Sequence, residues 1–244
     1  MKTLVFTIFE QEEGVETEAF WTTCIDSLHS WAAGRGYDFQ QYGLSDEPYE
    51  LLHKCGLIRA GAESYSHAHW TRLCLDRFIR LNQPSYDRVL WVDPDVIVRG
   101  NPQLSDEAGF YIKVGRRRVA GYPYPQGGFW YCVGGCHLDL YARFQACLRG
   151  QISQELRWFL KCVGSSHSRT LSDQEFLQDW IHHREYNEVG DLHYEIANTQ
   201  SGDWTKIYSH PNNFTPGPPP DDAFIHFGGP HKAQRLQWYL EDQT

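Results

Sequence analysis

The sequence predicts an α/β fold built on a mixed, mostly parallel sheet flanked by helices. An apolar run from Thr3 to Phe9 has the pattern of a buried strand. Apolar residues then recur every three or four positions from Phe20 to Trp31, as in an amphipathic helix. Gly34 and Gly36 are expected to end this helix before a second strand at 37–44. A strand, a helix and a strand joined in this way typically open a parallel sheet.

The rest of the chain continues with strands and helices. A strand is predicted at 88–92 and resumes at 96–98, because Pro94 cannot donate to a sheet ladder. The other predicted elements are strands at 129–133 and 223–227, helices at 63–81, 137–148, 153–161 and 172–183, and a closing helix that ends near Leu240. The segment 121–128, rich in Gly, Pro and Tyr, is predicted as a flexible loop, and 212–220 as an ordered one.

Length, composition and charge narrow the class of protein. The 244 residues, against about 150 in a typical domain, lead us to expect a single domain over residues 1–244. A content of 41% apolar and 22% charged residues excludes a disordered chain. With 22 basic and 31 acidic residues the formal charge is −9, and an acidic chain repels a phosphate backbone. Duplex nucleic acid is therefore disfavoured as a partner.

Cysteine usage and the apolar runs predict a soluble protein of a reducing compartment, the cytoplasm. The seven cysteines are odd in number and form no C-x-x-C pair, which argues against a disulfide framework and a zinc ribbon. No run approaches the roughly 18 apolar residues of a membrane span. The apolar stretch at the N-terminus is too short for a signal peptide.

Two acidic residues come directly after the strand at 88–92. Asp93 and Asp95 are separated only by Pro94, at the end of a strand where ligands collect in open α/β sheets. Mg²⁺ and Mn²⁺ prefer oxygen ligands and commonly combine one or two carboxylates with phosphate oxygens. Taken alone the pattern is more typical of a turn, because Asp favours turns and D-x-D occurs often by chance.

A second motif, at the end of the strand at 223–227, changes this balance. His226, Gly229 and Lys232 form an H-x-x-G-x-x-K pattern. An imidazole can complete a metal coordination shell, Gly allows a backbone to approach a phosphate closely, and Lys offers that phosphate a positive charge. The two motifs together predict a site for a divalent metal and a diphosphate.

The joint pattern resembles the metal-dependent glycosyltransferases of the GT-A fold, and among them glycosyltransferase family 8, the galactosyltransferase and glycogenin group. The similar segments occur in the family's order and span almost the whole chain: Leu4 to Thr7, 70–75 with Arg72, the D-x-D strand at 89–98, 172–177 with Asp173-Gln174-Glu175, and the H-x-x-G-x-x-K motif.

The resemblance implies a role for each matching residue. Asp93, Asp95 and His226 would hold Mn²⁺ or Mg²⁺. The residues expected to bind the nucleotide-sugar donor are Thr7, near the base, Arg72, Asp93, Gly229 and Lys232. Asp173 and Gln174 are expected to be the catalytic pair beside the transferred sugar, with Gln174 nearest the reacting carbon.

The chain departs from the family where an F-N-S/A-G element is usual. It has Gly127 to Gly135 there, without the Asn that would contact the sugar, so the identity of the donor sugar stays open. Aromatic residues cluster in this region, and we expect Trp130 to contact the acceptor. Core packing is an equally good explanation of these rings.

The predicted function is metal-dependent transfer of a hexose from a nucleotide-diphosphate sugar, a UDP-sugar, to a hydroxyl acceptor such as a carbohydrate, with retention of configuration. One alternative is a nucleotidyltransferase or nucleotide-sugar hydrolase on the same fold. The acidic, nearly Gly-free segment from Phe9 to Glu13 counts against the nucleotidyltransferase. The other alternative is a non-catalytic carbohydrate-binding protein with the D-x-D in a structural turn.

Overall fold

The computed structural model describes residues 1–9, 18–43, 86–119, 122–149, 151, 154, 173–196, 218–228 and 231–243. The strands are β1 (Thr3–Ile8), β2 (Asp38–Tyr42), β3 (Arg88–Val92), β4 (Val96–Arg99), β5 (Gly109–Val119), β6 (Tyr122–Val133), β7 (Asn187–Glu188), β8 (His193–Ile196) and β9 (Ala223–Phe227). The helices are α1 (Glu18–Gly34), α2 (Cys136–Leu148), α3 (Asp173–His182) and α4 (Lys232–Glu241), with a 3₁₀ turn at Gly190–Leu192.

The described strands form two sheets. The larger has the order β2-β1-β3-β6-β5-β7, and the smaller has the order β4-β9-β8. The parallel pairs are β1 with β2, β1 with β3, β5 with β7 and β8 with β9, whereas β3–β6, β5–β6 and β4–β9 are antiparallel. The predicted mixed and mostly parallel α/β architecture is confirmed.

Both faces of the larger sheet are covered. Alternate residues of each strand point to opposite faces, so a strand buried on both sides is largely apolar. Phe6 and Trp91 pack on one face with α2 and α3, where Trp180 is buried. Val5 and Leu90 pack on the other face with α1. A third cluster fills the space between the smaller sheet, α1 and α4.

Helix α1 has the apolar spacing and the ending that the sequence predicts. Phe20, Cys24, Leu28 and Trp31 are buried at intervals of three and four residues, which places them on one face of the helix. The helix ends at Gly34, and Gly36 adopts a left-handed conformation with φ of 68°. Only Gly enters this conformation without steric cost, so Gly36 lets the chain reverse into β2.

The segment 121–128 is the main correction to the predicted elements. Residues 122–128 are not a loop but the first part of β6, which pairs with β5 along an antiparallel hairpin. Neither β5 nor β8 is predicted from the sequence. The strand 129–133 and the helices near 137–148 and 172–183 are confirmed. The helix predicted at 63–81 lies outside the described residues, as does all but Gln154 of the one at 153–161.

The cysteines and the helices also bear on the predicted class of protein. Cys24, Cys132 and Cys136, the cysteines whose side chains are described, are free thiols, as predicted. None of the helices described here is both long and apolar enough to cross a membrane.

Candidate functional site

The D-x-D segment carries the chain from the larger sheet to the smaller one. The backbone N–H of Asp93 donates to the carbonyl of Gly128 on β6 over 2.8 Å, which extends the larger sheet by one bond. The backbone N–H of Phe227 on β9 donates to the carbonyl of Asp95 over 3.0 Å, which joins the smaller sheet. Pro94 stands between them, where β3 has ended at Val92 and no ladder bond is needed.

This crossover brings together three side chains that could hold a metal ion. The ligand atoms of Asp93, Asp95 and His226 all lie within 4.8 Å of one another. Nε2 of His226 is 3.2 Å from Oδ1 of Asp95 and 3.8 Å from Oδ2 of Asp93. His226 reaches the two acids because β9 pairs with β4, with His226 opposite Val96, the residue after Asp95. The structure thus assembles the predicted metal ligands.

Lys232, the first residue of α4, adds a positive charge to this group. Its Nζ donates to Oδ2 of Asp95 over 2.5 Å, and the ammonium lies 5.5 Å from the centre of the Trp21 ring. The Asp95 side chain is only 5% exposed. Burial would raise the pKa of Asp95, but the charges of Lys232 and His226 outweigh it and hold that pKa well below its usual range. Asp95 is therefore a buried anion.

The donor set fits a divalent cation that prefers oxygen and imidazole ligands. Oδ1 of Asp95 is buried and has no hydrogen-bond partner among the described residues, although it lies against His226. A buried carboxylate oxygen without a donor is unfavourable, and a metal ion would satisfy it. Two carboxylates and one imidazole suit Mn²⁺. They suit Mg²⁺ less well, because Mg²⁺ prefers oxygen ligands to nitrogen.

Gly128 is required by the closeness of this packing. A Cβ atom at position 128 would lie 2.6 Å from Cε1 of His226 and 2.8 Å from Oδ2 of Asp93. Both distances are far inside normal van der Waals contact. The strand β6 therefore supplies a bare backbone surface against which the metal-binding group is assembled.

Further buried side chains lie beside His226, and the sequence does not predict them. His193 and Glu195 come from β8, where Glu195 stands opposite His226 in the parallel pairing. Burial first, and then the charges of His226 and Lys113, keep the pKa of His193 well below its ordinary value. Burial raises the pKa of Glu195. Glu195 lies so close to Gly228 that a Cβ there would be 2.5 Å from its Oε1.

The other residues predicted to bind the donor or to act in catalysis are only partly described. Oε1 of Gln174 accepts a hydrogen bond of 3.0 Å from the hydroxyl of Tyr124 on β6. Asp173 begins α3, and its side chain lies outside the described part of the structure, as do Arg72 and Gly229. Thr7 is buried in β1, and its hydroxyl has no hydrogen-bond partner within the described residues.

Trp130 does not lie in a groove. Its side chain is fully buried on β6, and its ring centre is 6.5 Å from that of Phe6 and 5.9 Å from that of Phe110. Because both faces of the larger sheet are covered, every residue of the run 129–133 is buried. The prediction that Trp130 contacts the acceptor is wrong, and core packing is the explanation of this ring.

Comparison with known proteins places the fold. No protein-family model matches the chain, and no curated protein matches it. Solved structures do match over nearly the whole chain. A glycosyltransferase involved in the glycosylation of the major capsid of PBCV-1 is 14% identical, with a TM-score of 0.56, over 99% of this chain and 100% of that one.

Two further solved structures agree with this match. The galactosyltransferase LgtC, in complex with donor and acceptor sugar analogues, is 13% identical with a TM-score of 0.50, over 98% of this chain and 95% of that one. Mouse xyloside xylosyltransferase 1 in its apo form is 11% identical with a TM-score of 0.53, over 93% and 97%. The chain therefore has the GT-A glycosyltransferase fold and resembles glycosyltransferase family 8.

Proposed function

We propose that this protein is a metal-dependent glycosyltransferase that moves a hexose from a UDP-sugar to a hydroxyl acceptor, with retention of configuration. The observation that carries the proposal is the group of Asp93, Asp95 and His226, with Lys232 bonded to Asp95, at the crossover between two sheets of a GT-A fold. The proposed catalytic unit is a single domain over residues 1–244. The cytoplasmic location remains a prediction.

The metal and phosphate side of the proposed site is built from both motifs. Asp93, Asp95 and His226 would hold Mn²⁺ or Mg²⁺, which when bound supplies positive charge against the diphosphate of the donor. The Lys232 ammonium lies beside Asp95, next to the proposed diphosphate position. There it stabilises the negative charge that develops on the departing nucleoside diphosphate. Because the ammonium is already held by Asp95 and packed against Trp21, it needs little reorganisation when the donor binds.

The sugar side of the site is proposed to lie along β6. Tyr124 and Gly128 both belong to this strand. Gln174 is hydrogen-bonded to Tyr124, on the same strand whose Gly128 lies against His226 and Asp93. An amide is a poor nucleophile, so we assign Gln174 the role of orienting the transferred sugar, with Asp173 beside it.

Donor-binding roles for Thr7, Arg72 and Gly229 complete the proposal. They depend on the resemblance to family 8, in which the matching segments face the nucleotide. Thr7 is at the carboxyl end of β1, the edge of the sheet where ligands collect in α/β folds.

The test is a thermal-shift screen of nucleoside diphosphates and nucleotide sugars, each with Mn²⁺ and with EDTA. A ligand that binds only the folded state raises the melting temperature. We expect UDP and a UDP-hexose to stabilise the protein in Mn²⁺ and not in EDTA. Absence of any metal-dependent shift would overturn the proposal and favour a carbohydrate-binding protein. Release of free sugar from the donor at the same rate with and without acceptors would favour a hydrolase.

Lys232→Ala gives a second arm of the same screen. The variant should lose most of its affinity for UDP while its weak affinity for uridine is unchanged, because only the diphosphate meets the ammonium. Lys232→Arg keeps the charge and serves as the matched control. Equal loss of UDP and uridine binding would show that Lys232 does not contact phosphate.

A further inference from the structure

We propose that His193 is a positioning residue for the metal ligand His226, holding the His226 ring so that Nε2 faces Asp93 and Asp95. The inference rests on the metal site of the proposed function and adds a residue that no sequence motif or comparison assigns. Three observations support the inference. The two imidazoles are in contact, neighbouring rings hold His193 in place, and His193 keeps a buried nitrogen that a purely packing role would not require.

The two nitrogens of His226 have different partners. Nε2 faces the acids, 3.2 Å from Oδ1 of Asp95. Nδ1, on the other side of the ring, lies 3.3 Å from Nε2 of His193. A metal held at Nε2 would take the lone pair of that nitrogen, so the hydrogen of a neutral His226 would be on Nδ1. Nε2 of His193 is then the acceptor for this hydrogen.

The His193 ring is held by two neighbouring rings and by its backbone. Its centre lies 5.2 Å from that of Phe129, with planes inclined by 15°, and 5.3 Å from that of His226, with planes inclined by 24°. Its carbonyl accepts a hydrogen bond of 2.6 Å from Nζ of Lys113, and β8 pairs with β9 at this position. The acceptor nitrogen is therefore presented to His226 at a fixed place.

The other nitrogen of His193 indicates that the ring is not there only to fill space. When Nε2 accepts, the hydrogen of His193 is on Nδ1, and this buried atom has no hydrogen-bond partner among the described residues. A buried donor without a partner is destabilising, and a phenyl ring would fill the same space without that cost. The hydrogen bond that Nε2 accepts from His226 explains why this position has an imidazole despite its unpartnered Nδ1.

Partners of this kind commonly orient a metal-binding histidine and select its tautomer, and their loss weakens metal binding by about 10–100-fold. In the described structure the partner of His226 is a second imidazole and not a carboxylate. It therefore fixes the ring without adding another negative charge to a site that already contains Asp93, Asp95 and Glu195.

The test compares two substitutions at one position. His193→Phe keeps the stack but removes the acceptor, and His193→Gln places an amide oxygen near the position of Nε2. We expect Mn²⁺ affinity, measured by the EPR signal of free Mn²⁺ in a titration, to fall about 10–100-fold in His193→Phe and to be largely restored in His193→Gln. His137→Phe is the control, since His137 is another buried histidine with an unpartnered Nδ1 but belongs to α2.

A second measurement does not need the metal. Nitrogen NMR of metal-free protein with isotope-labelled histidine should show a coupling between Nδ1 of His226 and Nε2 of His193 across their hydrogen bond. Absence of the coupling overturns the proposal, as does unchanged Mn²⁺ affinity in a folded His193→Phe. If the unsubstituted protein itself bound no Mn²⁺, the proposed function would fail first and this inference would fail with it.

Discussion

Lys232 and Asp95 lie 137 positions apart in the sequence and share a hydrogen bond of 2.5 Å between Nζ and Oδ2. The same carboxylate turns its other oxygen, Oδ1, toward His226. Asp95 therefore joins the phosphate-binding side of the proposed site to its metal-binding side. Neither function can be altered at Asp95 without altering the other.

Asp95→Asn should separate metal binding from folding. The amide keeps the shape of the side chain but removes the charge that attracts both Lys232 and a cation, so we expect Mn²⁺ affinity to fall at least about 100-fold, beyond the effect of losing an outer partner. Isothermal titration calorimetry measures the affinity, and circular dichroism checks the fold. Asp221→Asn removes an acid that is 97% exposed and should leave the affinity unchanged. Full Mn²⁺ affinity in Asp95→Asn would contradict the metal site.

Gly128→Ala should disturb the same group from the opposite side. The added methyl would lie 2.6 Å from the ring of His226, so either the ring or β6 must shift. We expect a loss of roughly 1–3 kcal/mol in the free energy of unfolding, together with weaker Mn²⁺ binding. Urea denaturation and metal titration measure the two effects.

The matched control for this substitution is Gly34→Ala. A Cβ at position 34, the last residue of α1, meets nothing within 4 Å. This variant should unfold at the same urea concentration as the unsubstituted protein or slightly higher, with unchanged Mn²⁺ affinity. Equal effects of the two substitutions would mean that the close approach at Gly128 does not matter.

Tyr124→Phe should affect the turnover of sugar and not the binding of nucleotide. It removes the hydroxyl that donates to Gln174, and loss of one such hydrogen bond is worth about 1 kcal/mol, or roughly a five-fold change in rate. We expect kcat for transfer to fall by about that factor while the Kd for UDP is unchanged. Tyr111→Phe is the control, because its hydroxyl bonds to Ser105 and Glu107. A change in UDP affinity alone would contradict the assignment of Gln174 to the sugar.

Protonation of His137 should contribute to the acid sensitivity of the fold. Burial lowers the pKa of His137 from 6.5 to about 4, so between these values the unfolded chain binds a proton at this ring and the folded chain does not. The free energy of unfolding therefore falls as pH is lowered through this window, by roughly 2–4 kcal/mol from this residue. His137→Phe should show a shallower decline in urea denaturation between pH 6.5 and pH 4. Parallel declines in the two proteins would show that His137 is not the cause.

The edge that carries the proposed metal site is predictable because its signals are local. The four residues before Asp93 and the three before His226 are apolar and buried, as expected of strands covered on both faces, and the functional residues lie at or next to the strand ends. The carboxyl ends of strands then bring Asp93 and His226 together through pairings that need no detailed knowledge of side chains.

The hairpin of β5 and β6 is not predictable in the same way. Pro123 and Pro125 are typical of loops, and they are accommodated here because the pairing with β5 shifts register twice along this part of the hairpin. His193 and Glu195 belong to a strand of only four residues, too short for its alternation to be recognised. The burial of Trp130 depends on helices that cover both faces of the sheet, a long-range property.

The crossover at Asp93 and Asp95 also has a mechanical consequence. The backbone of Asp93 is hydrogen-bonded to the larger sheet, whereas His226 belongs to the smaller one. The proposed cation would therefore link the two sheets. Separation of the two sheets would require release of the ion, so a bound ion would oppose that separation. The metal needed for catalysis would then also hold the two sheets together, and the metal-free protein would open more easily between them.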